Sequence, residues 1–443
     1  MRKSLLLLIQ ILILPSLAGD SRHFTFLEDS VYEENSVDPA LEWKVQKTID
    51  IDTNRESVFS FKYHPDGKSI LVGTTDFNLF RIRLSDGSQI WKTPAKMMFQ
   101  KEFDGPTIFD VSPEGKNFLT VGQTRPDLQA SERFLVLRST ENGRILKSFP
   151  VEHSLFHSVT AAIDYRYPGK EEEERRLEAE LGKNWIMTID QAVFIEGGKK
   201  ILASYKHNMD GPNFYDRRLI LYDVNTGSKL NDFQLTCDPK SANWDQPAGF
   251  EIAAFQFPYV YSEKKKTILF GTAHGRIHEI NESLMSKNMK TPLVENKPAG
   301  SVIFTPLSDS NDVEVKDRQT IRSMALSPDG SLLYVSAGID SGLLQFYVFD
   351  METKKQLFSS SKINAGKMII PSTDFLAVSG MYGSSKFYIV HTKAGKLVFS
   401  SEKEGVSMNA SIFSHNPSTK EIAALSGSNQ ITLLRPDGSL TPW

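Results

Sequence analysis

The chain has 443 residues, with 51 basic against 54 acidic side chains and a formal net charge of −3 at pH 7. That balance does not build the one-sided positive field of a nucleic-acid binder. The single cysteine, Cys237, excludes an internal disulfide and any cluster of cysteine metal ligands.

Residues 1–18 have the layout of a signal peptide. Arg2 and Lys3 form a charged end, Leu5 to Leu14 an apolar core, and Ser16-Leu17-Ala18 a small-x-small cleavage site. The apolar run is short for a bilayer span and Pro15 breaks it, so cleavage after Ala18 is expected, giving a secreted or periplasmic protein. Gly19 rather than cysteine follows the cut, which disfavours a lipoprotein. No later segment is long and apolar enough to cross a membrane. Residues 19–39 read as a flexible acidic lead-in, and Leu41 to Ile51 (LEWKVQKTIDI) as a strand that arrives ahead of any complete repeat.

From there a unit of four short strands recurs, clearest at Ile321 to Phe358. Ile321, Met324 and Leu326 lie in a short apolar-rich run, bounded by the tight turn Ser327-Pro328-Asp329-Gly330. Leu332 to Val335 make a second strand, Ala337 to Gly342 a small polar loop, Leu343 to Phe349 a third strand, and Gln356-Leu357-Phe358 a short fourth. A unit of this size cannot bury both faces alone, so it must stack on copies of itself. Copies begin at Val58, Ile108, Ala192, Ile252, Lys367 and Ile412, which makes seven. The last copy stops a few residues after its third strand, and the orphan strand at Leu41 to Ile51 matches the missing fourth. The expected fold is therefore all-β: a β-propeller of four-stranded antiparallel blades, seven in number, closed by an N-terminal strand. The long polar stretch Glu282 to Lys316 leaves an eighth, degenerate blade as the alternative. An insertion at about 168–183, EEEERRLEAEL between Pro168-Gly169 and Gly182, pairs Glu171 with Arg175 and Glu172 with Arg176 at i,i+4, which predicts a short exposed helix.

SPDG followed by an alternating strand, a strand ending in Tyr222-Asp223 or Phe349-Asp350, and a Thr-Gly turn resemble the repeats of the WD40-type and YVTN-type propeller families. LVGTTDFNLFRIRLSDGSQIW and ILFGTAHGRIHEI are also similar to quinoprotein-type repeats. The resemblance covers roughly residues 40–443 and rests on turn-and-strand signals. The Gly-His pair and Trp-Asp dipeptide of regular WD40 repeats are absent.

In a propeller, the connections between blades and those between second and third strands share one face, and function gathers on such loops. The candidates between blades are Arg55, Asp104, Trp185, Trp244, Asp245, Phe250 and Arg318; within blades they are Arg125, His207, Phe214, Tyr215, His274 and Tyr382. Exposed aromatics and arginines anchor protein contacts, and Lys206 to Asp216 and Thr236 to Phe250 are longer than ordinary connections. The binding set is therefore Arg55, Phe214, Tyr215, Trp244, Asp245, Phe250 and Arg318. The competing view of Trp244 and Phe250 is that they fold back onto the blade edge.

Catalytic patterns are missing: there is no G-x-S-x-G elbow, no P-loop, and no histidine beside Cys237. His153 and His157 stand at i,i+4 with only Asp164 near, too few for zinc. These observations lead to an exported, non-enzymatic scaffold that binds protein partners through its channel-side loops, with no cofactor, nucleic acid or integral membrane segment. The alternative is an enzyme of the lactonase or quinoprotein-dehydrogenase kind. Asp104, Asp110, Asp190, Asn243, Asp245 and Asn409 would then have to converge on a channel Ca²⁺. A glycan-binding module would use the same aromatic loops.

Overall fold

The computed structural model describes residues 42–95, 106–123, 133–149, 186–208, 217–236, 258–271, 275–281, 293–294, 301–304, 320–338, 344–360, 365–380, 386–392, 396–408, 412–416 and 418–436. The proposed signal peptide, the acidic lead-in and the helical insertion at 168–183 lie outside them. Among the described residues the secondary structure is all strand, arranged as seven sheets, each built on an antiparallel meander of four strands except for the closing strand of the last. Blade one runs Val58–Tyr63, Ser69–Thr74, Asn78–Arg83, Gln89–Pro94, and blade five Thr320–Leu326, Leu332–Gly338, Leu344–Asp350, Gln356–Ser360. The first strands of most neighbouring blades touch one another and form the inner ring. The architecture is a seven-bladed β-propeller.

Burial explains the sequence of each blade. Second strands are apolar almost throughout because neighbouring blades cover both sheet faces: Ser69–Thr74, Thr267–Gly271, Leu332–Gly338 and Phe375–Ser379 are buried at every position. Outermost strands alternate instead; Gln89–Pro94 (QIWKTP) keeps only Trp91 and Thr93 partly buried. Each core cluster therefore spans a blade boundary, as where Leu119, Leu135 and Phe149 of blade two meet Ala192, Ile201 and Tyr222 of blade three. The apolar ends of some second strands are glycine for the same reason. A Cβ on Gly73 would lie 2.1 Å from the Pro106 carbonyl oxygen, and one on Gly271 would lie 2.4 Å from Ile321, so the next blade could not close up.

The turns follow their residue chemistry. In Ser327-Pro328-Asp329-Gly330, Gly330 has φ 69° and its N–H bonds Ser327 O at 2.7 Å. Asp329 Oδ1 accepts from the Ser327 hydroxyl (2.6 Å) and from the Ser331 N–H (3.1 Å). Asp223 and Asp350, where the WD40 dipeptide would place its acid, cap the following turn: Thr226 N–H donates to Asp223 at 2.7 Å and Thr353 N–H to Asp350 at 2.6 Å.

Ring closure uses the orphan strand. Trp43–Asp50 pairs antiparallel with Gln430–Pro436, the third strand of blade seven, and supplies its fourth position. Trp43 is fully buried and packs edge-on to Phe375 of blade six at 5.3 Å. Across the seam the Tyr63 hydroxyl donates to Glu421 at 2.5 Å, and Arg435 donates to the other oxygen of that buried carboxylate. Burial, then the Glu421 charge, push the Tyr63 phenol well above its usual range, so it stays a donor.

Two expectations need correction. The stretch Glu282 to Lys316 holds no eighth blade among its described residues. Ser301–Phe304 is the fourth strand of blade four, and Leu293–Val294 adds in parallel to the outer edge of blade three. An outer edge offers free ladder groups, so two residues pair there without needing a sheet of their own. In blade five the second strand continues to Gly338, so Ala337 belongs to the ladder and not to the polar loop.

Replacing Glu421 with alanine leaves Tyr63 and Arg435 without their shared acceptor. It should lower unfolding free energy by about 3 kcal/mol, against about 1 kcal/mol for Tyr63→Phe. Denaturant melts of both variants check this, and equal losses would remove Glu421 from the closure.

Candidate functional site: the central channel and the loop-bearing face

In a meander, successive connections lie at opposite ends of the sheet. The first-to-second and third-to-fourth turns therefore share one face of the ring, and the remaining connections share the other.

The turn face is knitted together. His64 Nε2 hydrogen-bonds the Gly115 carbonyl at 2.7 Å, from blade one to blade two. The Ser418 hydroxyl donates to Pro65 O at 2.7 Å, from blade seven to blade one. Glu196 N–H donates to Glu263 at 2.6 Å, and Lys265 Nζ to Met351 O at 2.8 Å, joining blades three, four and five. Polar groups here are used to hold neighbours.

On the opposite face the described connections include residues 75–77, 401–408 and 426–429 and the passage from the closing strand into blade one. Asn54 and Arg55 both adopt left-handed backbone, φ 55° and 69°, which non-glycine residues seldom do. The turn is fixed from within by the Thr53 hydroxyl donating to Glu56 O at 2.6 Å, and at its ends by Ile51 N–H to Asn429 O and Val58 N–H to Ser428 O, both 2.9 Å. Behind it Glu56 is buried and accepts from Lys92 (2.6 Å) and Asn78 (3.0 Å). Burial would raise this carboxyl, but hydrogen bonds from Lys92, Thr74 and Asn78 together hold it below its usual range. Arg55 itself is exposed. Of the predicted binding set it is the member the structure places; Phe214, Tyr215, Trp244, Asp245, Phe250 and Arg318 lie outside the described residues. So do Asp104, Arg125, His153, His157, Asp164, Trp185, Cys237, Asn243, His274, Tyr382 and Asn409, and the side chains of Asp190 and His207.

The inner ring carries chemistry that the loop-centred reading passed over. Side chains on the inner strands reach the backbone of the next blade. The Ser60 hydroxyl donates to Pro106 O (2.8 Å) and accepts from Ile108 N–H (3.1 Å). Asp110 accepts from Phe194 N–H (2.8 Å), and Ser414 from Tyr63 N–H (3.2 Å). Register shifts between Val58 and Ser60 and between Ile108 and Asp110 re-aim the first two. Asp110 is thus a blade-to-blade acceptor. Burial pushes its carboxyl up, opposed by Lys62 and by the N–H groups of Phe194 and Val111.

Lys62, Lys367 and His415 stand on the inner strands of blades one, six and seven. Burial, then the Lys62 charge, lower Lys367 to about 7 and His415 to about 4. Asp110, Lys367 and His415 are half-buried. Lys367 Nζ lies 4.8 Å from the centre of the Phe413 ring. The signal was present in the sequence as ionisable residues in the otherwise apolar first strands VFSFKY, IFDV, KMIIPS and FSH. Among the described residues, no group of three or more His, Cys, Asp or Glu side chains could hold a metal ion. No helix among them is long and apolar enough to cross a membrane.

This geometry defines the class of protein: a seven-bladed β-propeller. No family model matches the chain, and no curated protein does. Among solved structures it is similar to the β-propeller domain of Cps50 (Swd1) from Myceliophteria thermophila, with TM-score 0.52 and 13% identity over 88% of this chain and 99% of that one. At that identity the likeness establishes the fold. In all, 1475 chains match in this way, so the fold by itself selects no activity.

His278, in the third strand of blade four, is 2% exposed and stacked on Phe270 at 5.1 Å, with neither ring nitrogen hydrogen-bonded to protein. Burial, then Arg276, lower it to about 4. The unfolded chain binds the proton more readily, so stability is complete above about pH 6.5 and is lost as pH falls towards 4. Between pH 7.5 and 5 this histidine should remove roughly 2 kcal/mol. Urea midpoints of His278→Phe should fall less over that range than those of the native protein, and an identical fall would refute the assignment.

Proposed function

We propose that this protein is an exported, non-enzymatic scaffold that binds protein partners on the loop-bearing face of its propeller. The observation that carries the reading is the division between the two faces. The turn face uses its polar groups to hold blade to blade. On the other face, Arg55 stands exposed on a turn whose unusual backbone is locked by its neighbours. An arginine presented this way loses little freedom on binding and is a residue type that anchors interfaces. Phe214, Tyr215, Trp244, Asp245, Phe250 and Arg318 belong, by their place in the repeat, to connections of the same face and complete the proposed surface. A WD40-like fold is consistent with an interaction scaffold in general.

The test compares proteins captured from an extracytoplasmic extract by the native mature chain, by Arg55→Glu, and by the turn-face control Glu352→Lys. Capture should fall tenfold or more for Arg55→Glu, with melting temperature unchanged, and persist for the control. Equal capture by all three would overturn the assignment of the face. Export is tested separately: the N-terminal residue of the protein recovered outside the cytoplasm should be Gly19. Recovery of intact chain in the cytosol alone would overturn it.

A further inference from the structure

Asn281 ends the third strand of blade four, Ile277–Asn281, and is exposed although Ile280 before it is fully buried. In the ladder it stands opposite Thr267, the first residue of the second strand, as Asp223 stands opposite Lys200 and Asp350 opposite Leu332. Asn281 thus holds the repeat position at which those two aspartates cap the turn into the fourth strand. In blades three and five that turn is tight, with five residues between the strands. In blade four, nineteen residues separate Asn281 from Ser301, so no tight turn requires an acid to cap it. The position carries a neutral, exposed asparagine instead.

The next two residues in the sequence, Glu282 and Ser283, complete the pattern Asn-x-Ser with x other than proline. That pattern is the acceptor for N-linked oligosaccharide and belongs at the surface of an exported chain. It recurs at Asn409-Ala410-Ser411, which lies outside the described residues. Asn416-Pro417-Ser418 gives the contrast: proline intervenes, and Asn416 is 1% exposed with its Oδ1 accepting from the Ser418 N–H at 2.9 Å.

We infer that Asn281 is an N-glycosylation site, modified as the chain enters a secretory compartment. The inference rests on the proposed export, because the donor, an oligosaccharide carried on a lipid diphosphate, belongs to that compartment. Nδ2 of Asn281 bonds to the anomeric carbon of the sugar and gives up one of its two protons. The bond from that carbon to the diphosphate oxygen breaks, and the lipid diphosphate leaves. The acceptor is synthesised before Ser301–Phe304, the fourth strand of blade four, and before all of blade five, so transfer can precede closure of the blade. A glycan on an exposed strand end then asks for no rearrangement of the folded ring. It stands on the turn face, at the third-to-fourth connection, and leaves the face proposed to bind partners open.

The test produces the full chain with its own leader in cultured animal cells. The peptide containing Asn281 is mapped by mass before and after a peptide N-glycosidase, which releases the sugar and leaves aspartate. A parallel chain carries a foreign cleavable leader in place of residues 1–18, and secreted and cell-associated protein are both read, so a variant that folds poorly is still scored. The Asn281 peptide should carry a sugar mass that the enzyme removes. Asn281→Gln and Ser283→Ala should each abolish it; Ser283→Thr, which keeps the hydroxyl, should retain it; Asn409→Gln should leave it unchanged. Secreted protein that begins at Gly19 with Asn281 unmodified overturns the site and leaves export standing. Unmodified Asn281 under the foreign leader also overturns the site. Modification under the foreign leader, with the native-leader chain intact in the cytosol, upholds the acceptor and overturns export.

Discussion

Every blade of this protein depends on the ring being closed. A four-stranded sheet with apolar second and third strands has two faces to bury and can cover neither alone. In an open array the end blades would expose the surfaces that all the others hide. The pairing of Trp43–Asp50 with Gln430–Pro436 is therefore the contact on which the rest stands. It joins the beginning and end of the described chain, and its position next to Tyr63, Glu421 and Arg435 ties the ladder to a buried polar network across the same seam.

Closure settles a second matter, the use of polar side chains. Apolar packing between blades has little direction, so adjacent sheets could slide over one another. Hydrogen bonds that Ser60, Asp110 and Ser414 accept from the next blade's backbone N–H groups fix the relative height of the inner strands. His64, Ser418 and Lys265 do the same at the turn face. The molecule is thereby rigid at its hub and along one face, a suitable base for presenting residues on the other. The locked turn bearing Arg55 is one described instance of that arrangement.

The same geometry concentrates charge. Inner strands lie close round a common axis, so an ionisable residue on one blade is felt on several others. Lys62 illustrates this: its charge reaches an aspartate, a lysine and a histidine that sit on three other blades. In an isolated sheet these residues would be independent, and each would behave as an ordinary half-buried side chain.

The sequence by itself determined the repeat, the strand order within each blade, the closing strand and the turn chemistry, because these depend on local periodicity and on residues such as Asp329 and Gly330. Seven copies with one fourth strand missing also implied how the ring would close. The long stretch after Glu282 was not legible. Two pairing residues, Leu293 and Val294, carry no period, and the edge they join belongs to an earlier blade. Nor were the contacts of the inner ring legible, though Lys62, Asp110, Lys367 and His415 were visible as breaks in apolar strands. Periodicity says which side of a sheet a residue occupies, and nothing about its partner. Asp110 meets Phe194 across 84 residues and Tyr63 meets Glu421 across 358. Only the closed tertiary structure decided those encounters, since distance through a ring is set by blade number and not by separation along the chain.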